Sequence, residues 1–374
     1  MIDPRIRDLA ELLVGHSVHL TPEDKVLIHA FDIPEEAVVT LVQAAQAKGA
    51  QVAVRLESNR IKRALMLGMT EENAKTIAAA EKFEMEQMTA YIALRGTHNY
   101  AESSDVPSEI NALWQKHYAK PVVFETRVAK TKWVVLRWPT PGMAQQANVP
   151  TDVFEDFFFR VCTVDYKKMA AAAQPLADLM DNADQIHILG PGTDLRFSIK
   201  GIGSVPCCGE ANIPDGECFT SPVRESMEGV IQYNTVSLYQ GVEFKDIRYV
   251  VKAGKIVEAT AGDQTAKLNE ILDTDEGGRY FGEWAIGFNP DVLHPMKDTL
   301  FDEKIAGSFH LTPGNAYSGK GDNGNRSAIH WDTVLIQRPD YGGGEIWFDG
   351  KLVRKDGLFV LPELEGLNPE NLRA

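Results

Sequence analysis

Cysteine is scarce in this chain of 374 residues: Cys162, Cys207, Cys208 and Cys218 are all it holds. Their spacing matches no zinc cluster. Adjacent Cys207 and Cys208 are poorly placed to bridge each other, so no disulfide framework is expected, and a reducing compartment, the cytoplasm, is. Long apolar runs are also missing. No run of about 18 apolar residues occurs, which excludes a spanning helix of the usual kind. The opening Met-Ile-Asp-Pro-Arg-Ile-Arg-Asp has no apolar stretch of signal-peptide length. No Gly-x-Gly-x-x-Gly follows a strand, and the glycine-rich stretch Gly314 to Gly324 lacks a Gly-Lys-Ser/Thr ending, so no nucleotide site is expected. Positive charge is in the minority. There are 38 Lys and Arg against 53 Asp and Glu, a formal net charge of −15, which disfavours nucleic acid and anionic membranes as partners. Repeats and low-complexity tracts are absent as well.

What is present is ordinary globular composition: 44% hydrophobic and 24% charged residues. The core can be large, and metals need not hold up the fold. The first part alternates strand and helix patterns. Lys25 to Ala30, Gln51 to Leu56, Thr89 to Leu94 and Lys132 to Trp138 read as strands. Helical spacing marks Ile6 to Val14, Pro34 to Lys48 (Pro at its start, Gly49 just past its end) and the stretch from Thr70 toward Met85. Such alternation predicts an α/β N-terminal domain with a parallel sheet, over residues 1–150. Pro139 to Pro150, rich in proline, glycine and amides, reads as a connector. Asp152 to Asp181 looks helical with a break near Val164. From Gln185 onward short strands and hairpins dominate, including Glu345 to Phe348 and Lys351 to Val353 around Asp349-Gly350. The second domain, 151–374, is therefore expected to be α+β and β-rich.

The candidate chemistry lies in that second half. Ala328 to Ile336 has strand composition, and residues two apart on a strand face one way. His330 and Asp332 would then stand side by side, one nitrogen and one oxygen ligand for a metal. The plain alternative is two solvent-facing polar residues. Glu217 follows a Pro-Asp-Gly turn and fits a solvated loop end as well as a metal. Glu283, in Arg279-Tyr-Phe-Gly-Glu-Trp-Ala-Ile, is surrounded by apolar residues. A buried carboxylate needs a partner: a metal ion, Arg279, or, if the alternation runs the other way, solvent. His310 fits a core histidine or a ligand. Tyr317 lies in the glycine-rich loop, which could curl over a site or stay at the surface. Two Glu, two His and one Asp form a set that could hold two divalent cations. Carboxylates can bridge two metals, histidines favour Zn²⁺ or Co²⁺ over Mg²⁺, and paired metals suit hydrolysis.

These stretches resemble the thermophilic-type metalloaminopeptidases, the aminopeptidase T and aminopeptidase S family. The resemblance covers most of the chain and is clearest from Gly190 to Gly357. It rests on Gly192-Thr-Asp-Leu195, Gly216-Glu-Cys-Phe-Thr-Ser-Pro222, Gly282-Glu283, His310 with Tyr317, His330-Trp-Asp332 and the closing Gly344 to Gly357. It implies an α/β domain followed by a metal-binding catalytic domain, a homodimer, and peptide substrates. It implies Glu217, Glu283, His310, His330 and Asp332 as ligands of two Zn or Co ions, with Glu283 bridging. Tyr317 would donate to the oxyanion of the tetrahedral intermediate, and Glu217 or Glu303 would carry the proton. The sequence departs from the family at Ile305, where an additional Glu ligand is usual. Asp302 and Glu303 lie just upstream, so either Glu303 takes that role or the second metal is weakly held.

Two other readings compete with an aminopeptidase. Some relatives of this fold resemble 2,5-dihydroxypyridine ring-cleaving dioxygenases with one Fe(II), for which His310, His330 and Asp332 could supply the two-His, one-carboxylate triad. Glu217 and Glu283 would be superfluous there. The third reading is a metal- or peptide-binding relative without activity.

Overall fold

The computed structural model describes residues 3–373. The chain divides into two compact units, one running to Thr163 and including Gly209–Ile213, the other made of Val164–Cys208 and the chain from Pro214 on.

The first unit is built on strands β1 (Lys25–Phe31), β2 (Gln51–Glu57), β3 (Ala90–Arg95) and β4 (Lys132–Arg137). They pair in the order β2-β1-β3-β4, every pair parallel, with the short strand Asn212–Ile213 added beside β4. Five consecutive residues of β1, and five of β3, are buried. This continuous burial is what a parallel strand covered on both faces requires, and it explains the unbroken apolar runs. Between the strands lie the helices Glu35–Ala47 and Glu71–Met85. Thr70 caps the second by accepting from the Asn73 amide. The expected connector at Pro139 to Pro150 is corrected: it holds a helix, Pro141–Ala147. Thr140 caps that helix from the Met143 amide, Pro141 fills its first turn, and Asn148 ends it in the left-handed region at φ 60°. Proline there starts a helix rather than breaking one. The expected break near Val164 falls between the helices Thr151–Cys162 and Tyr166–Asn182.

The second unit is β-rich and antiparallel. Its eight-stranded sheet includes the hairpin Glu345–Phe348 and Lys351–Lys355, turned by Asp349 and Gly350 at φ 49° and 80°. The other main sheet places Phe281–Gly287 at its centre, between Ser308–Pro313 and Glu217–Thr220, with Thr333–Ile336 beyond Ser308–Pro313. All seven residues of Phe281–Gly287 are buried. Trp284 packs edge-on against Phe197 and near Phe348, which fixes this strand in the core. The strand expected over Ala328 to Ile336 is regular only from Thr333. Before that the chain is tied to a loop instead of a ladder: Asn315 donates its amide to the Ile329 carbonyl, and His330 bridges Gly314. Among the described residues no helix is long and apolar enough to cross a membrane.

Candidate metal centre

The central strand sets the site. Its register puts Ala285 opposite His310 and Gly287 opposite Glu217, with a bulge between Phe281 and Glu283. A bulge re-aims the side chain that follows it. Glu283 is thereby buried at 3% exposure, and it faces two imidazoles: its Oε1 is 3.4 Å from His310 Nε2, and its Oε2 3.2 Å from His330 Nε2. Arg279, the other partner weighed for Glu283, is engaged elsewhere, with Asp273. His310 Nδ1 turns toward Glu217 Oε2 at 3.7 Å. Asp332 Oδ1 lies 3.2 Å from His330 Nε2. Glu217 and His310 are buried, so neither is a solvated loop end or a surface residue.

Two glycines make the approach possible. A Cβ at Gly282 would stand 2.3 Å from the Asn315 carbonyl carbon, so only glycine lets the Gly314–Asn315 loop lie against the strand. That loop carries Tyr317 and supplies the Asn315 carbonyl, which is 2.8 Å from His330 Nδ1. A Cβ at Gly287 would meet the Ile305 and Glu303 carbonyls at 2.7 and 2.9 Å. Its absence lets the Glu303–Ile305 backbone pass close enough for Glu303 to join the centre. Glu303 is buried and groups with His310 and Asp332. Of the two upstream acids at the Ile305 departure, Glu303 is thus the one brought in. Asp302 accepts from the Met296 amide in a local turn instead. Ile305 is fully buried in the core.

Trp331 separates His330 from Asp332 and anchors both. It is buried, stacks on Tyr239 with centroids 4.5 Å apart, and donates Nε1–H to Ser237 Oγ at 2.8 Å. Thr312 Oγ1 donates to Asp332 Oδ1 at 2.7 Å. Tyr317 is half-exposed, with its ring 4.9 Å from the His330 ring and 5.7 Å from Phe219.

Lys304 was not anticipated. It is fully buried, with its ammonium 2.5 Å from Glu217 Oε1, 3.0 Å from Glu303 and 3.3 Å from Asp215. A lysine followed by Ile-Ala-Gly gives no sequence signal of burial beyond its apolar company. The ammonium fills the corner formed by Cys207, Asp215 and Glu217 and supplies that corner with a fixed cation.

The electrostatics follow from burial and proximity. Burial raises the Glu217 pKa and pushes that of Glu303 up to about 8. Burial also opposes protonation of His310, yet Glu283 and Glu217 outweigh it and lift the imidazole to about 9. His330 is raised for the same reason by Asp332 and Glu283. In return, against the effect of burial, the His310 hydrogen bond and the charges of both imidazoles hold Glu283 below its ordinary value. Tyr317 exposes half its ring, but its phenol oxygen is desolvated and lies toward the carboxylates of the centre; both effects push the phenol well up, so the hydroxyl keeps its proton.

The donors suit a divalent metal. Glu217, Glu283 and His310 offer ligand atoms within 4.8 Å of one another, as do Glu283, His330 and Asp332. Glu217 Oε2, His310 Nδ1 and His330 Nε2 are buried and form no hydrogen bond, a costly state for polar atoms that a cation relieves. With Nδ1 directed at the Asn315 carbonyl, Nε2 is the nitrogen left to ligate, the usual orientation of a metal-binding histidine.

Carboxylates and imidazoles converging on a buried sheet fit a metal-binding site. The model of the thermophilic metalloprotease (M29) family matches residues 2–342, and the chain belongs to that family. It is a metallopeptidase, hence a hydrolase. Aminopeptidase PepS of Streptococcus thermophilus is 25% identical over 94% of each chain. The solved structure of AmpT from Thermus thermophilus superposes with a TM-score of 0.81 at 22% identity, covering 96% of this chain and 99% of that one. A 2,5-dihydroxypyridine dioxygenase from Pseudomonas putida KT2440 superposes with a TM-score of 0.63 at 16% identity, over 98% and 99%. At such identities the two structures speak for the fold alone: a parallel α/β sheet followed by a β-rich, antiparallel region.

Proposed function

We propose that this metallopeptidase is an aminopeptidase whose centre takes two divalent cations, zinc or cobalt. The observation that carries the reading is the sharing of Glu283 by two donor sets, one with Glu217 and His310, the other with His330 and Asp332. A carboxylate common to two sets would let Glu283 serve both cations, one oxygen to each set. Charge agrees once a cation displaces the protons of His310, His330 and Glu303: Glu217, Glu283, Glu303, Asp332 and Asp215 against the Lys304 ammonium then leave four negative charges, which two divalent cations balance. When bound, such ions polarise the scissile carbonyl and activate water.

The protein's own groups do the rest. His330 and Asp332 are held in place by Asn315, Trp331 and Thr312. Lys304 engages Glu217 Oε1 and leaves Oε2 for a cation or a proton. Glu303 completes the set with His310 and Asp332 in place of the usual Glu at Ile305. Glu217 or Glu303 takes the proton from the attacking water and passes it to the leaving amine. Tyr317, kept protonated, donates its O–H to the oxyanion. The acidic chain disfavours nucleic-acid partners, and its four cysteines, none of them in a disulfide, suit the cytoplasm. A homodimer acting on peptides completes the proposal.

The alternative iron dioxygenase needs one ion on His310, His330 and Asp332, and leaves Glu217 and Glu283 without a task. Metal analysis of protein loaded with Zn²⁺ or Co²⁺ separates the two: two ions per chain are expected, with release of N-terminal residues from short peptides or aminoacyl anilides. A single iron per chain, or no release across a broad panel from metal-loaded protein, would reject the aminopeptidase. Glu283→Gln is expected to lose both ions while keeping its circular dichroism. An unfolded variant with unchanged metal content would make Glu283 a structural residue.

A further inference from the structure

The α/β unit contains a cavity of about 290 Å³ that shares no residue with the metal centre. It opens at the carboxyl ends of β1, β2 and β3, where Phe31, Glu57 and Arg95 stand. Strand order reverses here, β2 lying on one side of β1 and β3 on the other. In open parallel sheets this is where ligands bind.

The lining is of two kinds. Lys62, Arg95 and Arg127 give the interior three positive groups, beside Phe31, Tyr91, Trp114 and Tyr118. The Arg127 guanidinium sits 4.6 Å over the Tyr91 ring, and the Lys62 ammonium 5.7 Å from the Trp114 ring. Trp114 and Tyr118 stack with centroids 3.9 Å apart. The two acids of the lining are already engaged: Glu57 with His29 at 3.0 Å, and Glu81 with Arg55 and the Tyr118 hydroxyl, each at 2.5 Å. Among the described residues no carboxylate comes within ion-pair distance of Lys62, Arg95 or Arg127. The buried Nε atoms of both arginines lack a hydrogen-bond partner. With His29 kept neutral by its burial, the four cations Arg55, Lys62, Arg95 and Arg127 against the three carboxylates Glu57, Glu81 and Glu84 leave one uncompensated positive charge. The mouth is the opposite in character: Leu56, Ile61 and Leu65 are 70%, 64% and 49% exposed. Large apolar side chains gathered in the open at a cavity mouth, unlike scattered ones, mark a binding surface.

We propose that this cavity is a second binding site, for a small organic monoanion: a carboxylate head on an aromatic or aliphatic body. The head pairs with Arg95 and Arg127, and the flat guanidinium fork matches a carboxylate. The body lies along Trp114, Phe31 and the apolar rim. A single residual charge favours a carboxylate over a dianionic phosphate.

The test is calorimetric titration of the metal-loaded protein with 3-phenylpropionate, with acetate as a head-only control and 3-phenylpropan-1-ol as a body-only control. One saturable site per chain is expected, with both controls about tenfold or more weaker. Arg95→Gln, Arg127→Gln and Ile61→Glu are each expected to weaken the acid by about tenfold or more. Ile61 is on the exposed rim, so its variant folds and keeps peptide hydrolysis. Glu283→Gln, altered only at the metal centre, is expected to bind the acid as the parent does. No binding at millimolar acid, an alcohol bound as tightly as the acid, or variants that bind like the parent would overturn the proposal. So would loss of binding in Glu283→Gln, which assigns the acid to the metal centre. A change of oligomeric state in Ile61→Glu without a change in affinity would assign the rim to an interface between copies and overturn it as well.

Discussion

Tyr317 is the one proposed catalytic group that stands outside the ligand set, and its half-exposed ring separates its role from metal binding. Tyr317→Phe removes a hydroxyl and leaves the ring against His330 and Phe219. Its expected effect is a fall in kcat of about 10²–10³-fold, the usual worth of one oxyanion donor, with metal content unchanged. Loss of metal together with activity would make it a structural residue. His310 gives a second prediction at this scale. Without metal its imidazole is held protonated up to about pH 9, so a cation must displace that proton. Metal affinity is expected to rise from pH 6 to 9, with proton release visible as a dependence of binding heat on the buffer. Stability of the metal-free protein moves the other way. A histidine whose folded pKa is raised from 6.5 to about 9 stabilises fully below the lower value, and the contribution is gone above the upper one. Glu303, raised from 4.5 to about 8, favours its protonated form in the fold and costs stability as it ionises. Both signs make the metal-free protein weaker as pH climbs toward 9. Chemical denaturation at pH 6 and pH 9 after chelation checks this, and equal midpoints would contradict it.

At the scale of elements, the central strand Phe281–Gly287 is a platform whose glycines set how closely two loops approach. Gly282→Ala would press a methyl into the Asn315 backbone and push the Gly314–Asn315 loop away. The cost in stability is expected to be about 1–3 kcal/mol, as for overpacking elsewhere. Metal affinity should suffer more than stability, by about 10–100-fold, because His330 loses the Asn315 carbonyl that orients it. A variant with parental affinity would dismiss the platform role. The same strand shows what a sequence can and cannot convey. The apolar runs of β1 and β3, the hairpin at Asp349-Gly350 and the cap at Thr70 are local patterns, and they were legible. So were Glu217, Glu283, His310, His330 and Asp332 as candidates, through their order along the chain. Lys304 was not legible, because its burial depends on Glu217, Asp215 and Glu303 arriving from other elements. The helix Pro141–Ala147 was missed because its Pro-Gly start reads equally as a turn. The regular strand begins only at Thr333 because Ile329 and His330 bond to a loop, a pairing that strand composition cannot reveal.

Across the whole molecule, the proposed metal donors all belong to the second unit, on or beside four neighbouring strands of one sheet, whereas the parallel sheet of the first unit is buried on both faces and holds none of them. Metal binding is therefore expected to be a local source of stability. An ion that binds only the folded state adds about 2.7 kcal/mol at a hundred times its dissociation constant. That energy should be read out where the ligands sit. Hydrogen exchange of chelated against metal-loaded protein is expected to show lost amide protection in Glu217–Thr220, Phe281–Gly287, Ser308–Pro313 and the stretch from Ile329 to Ile336. Little change is expected in Lys25–Phe31 and Ala90–Arg95. The loop from Gly314 to Tyr317 should respond too, because the Asn315 carbonyl and the Tyr317 ring both lie against the His330 ring. Protection lost equally in both units would mean that the metals stabilise the chain globally. Protection unchanged everywhere would mean that the buried Glu283, His310 and Lys304 network holds itself together without cations, against the cost that its unpaired donor atoms imply.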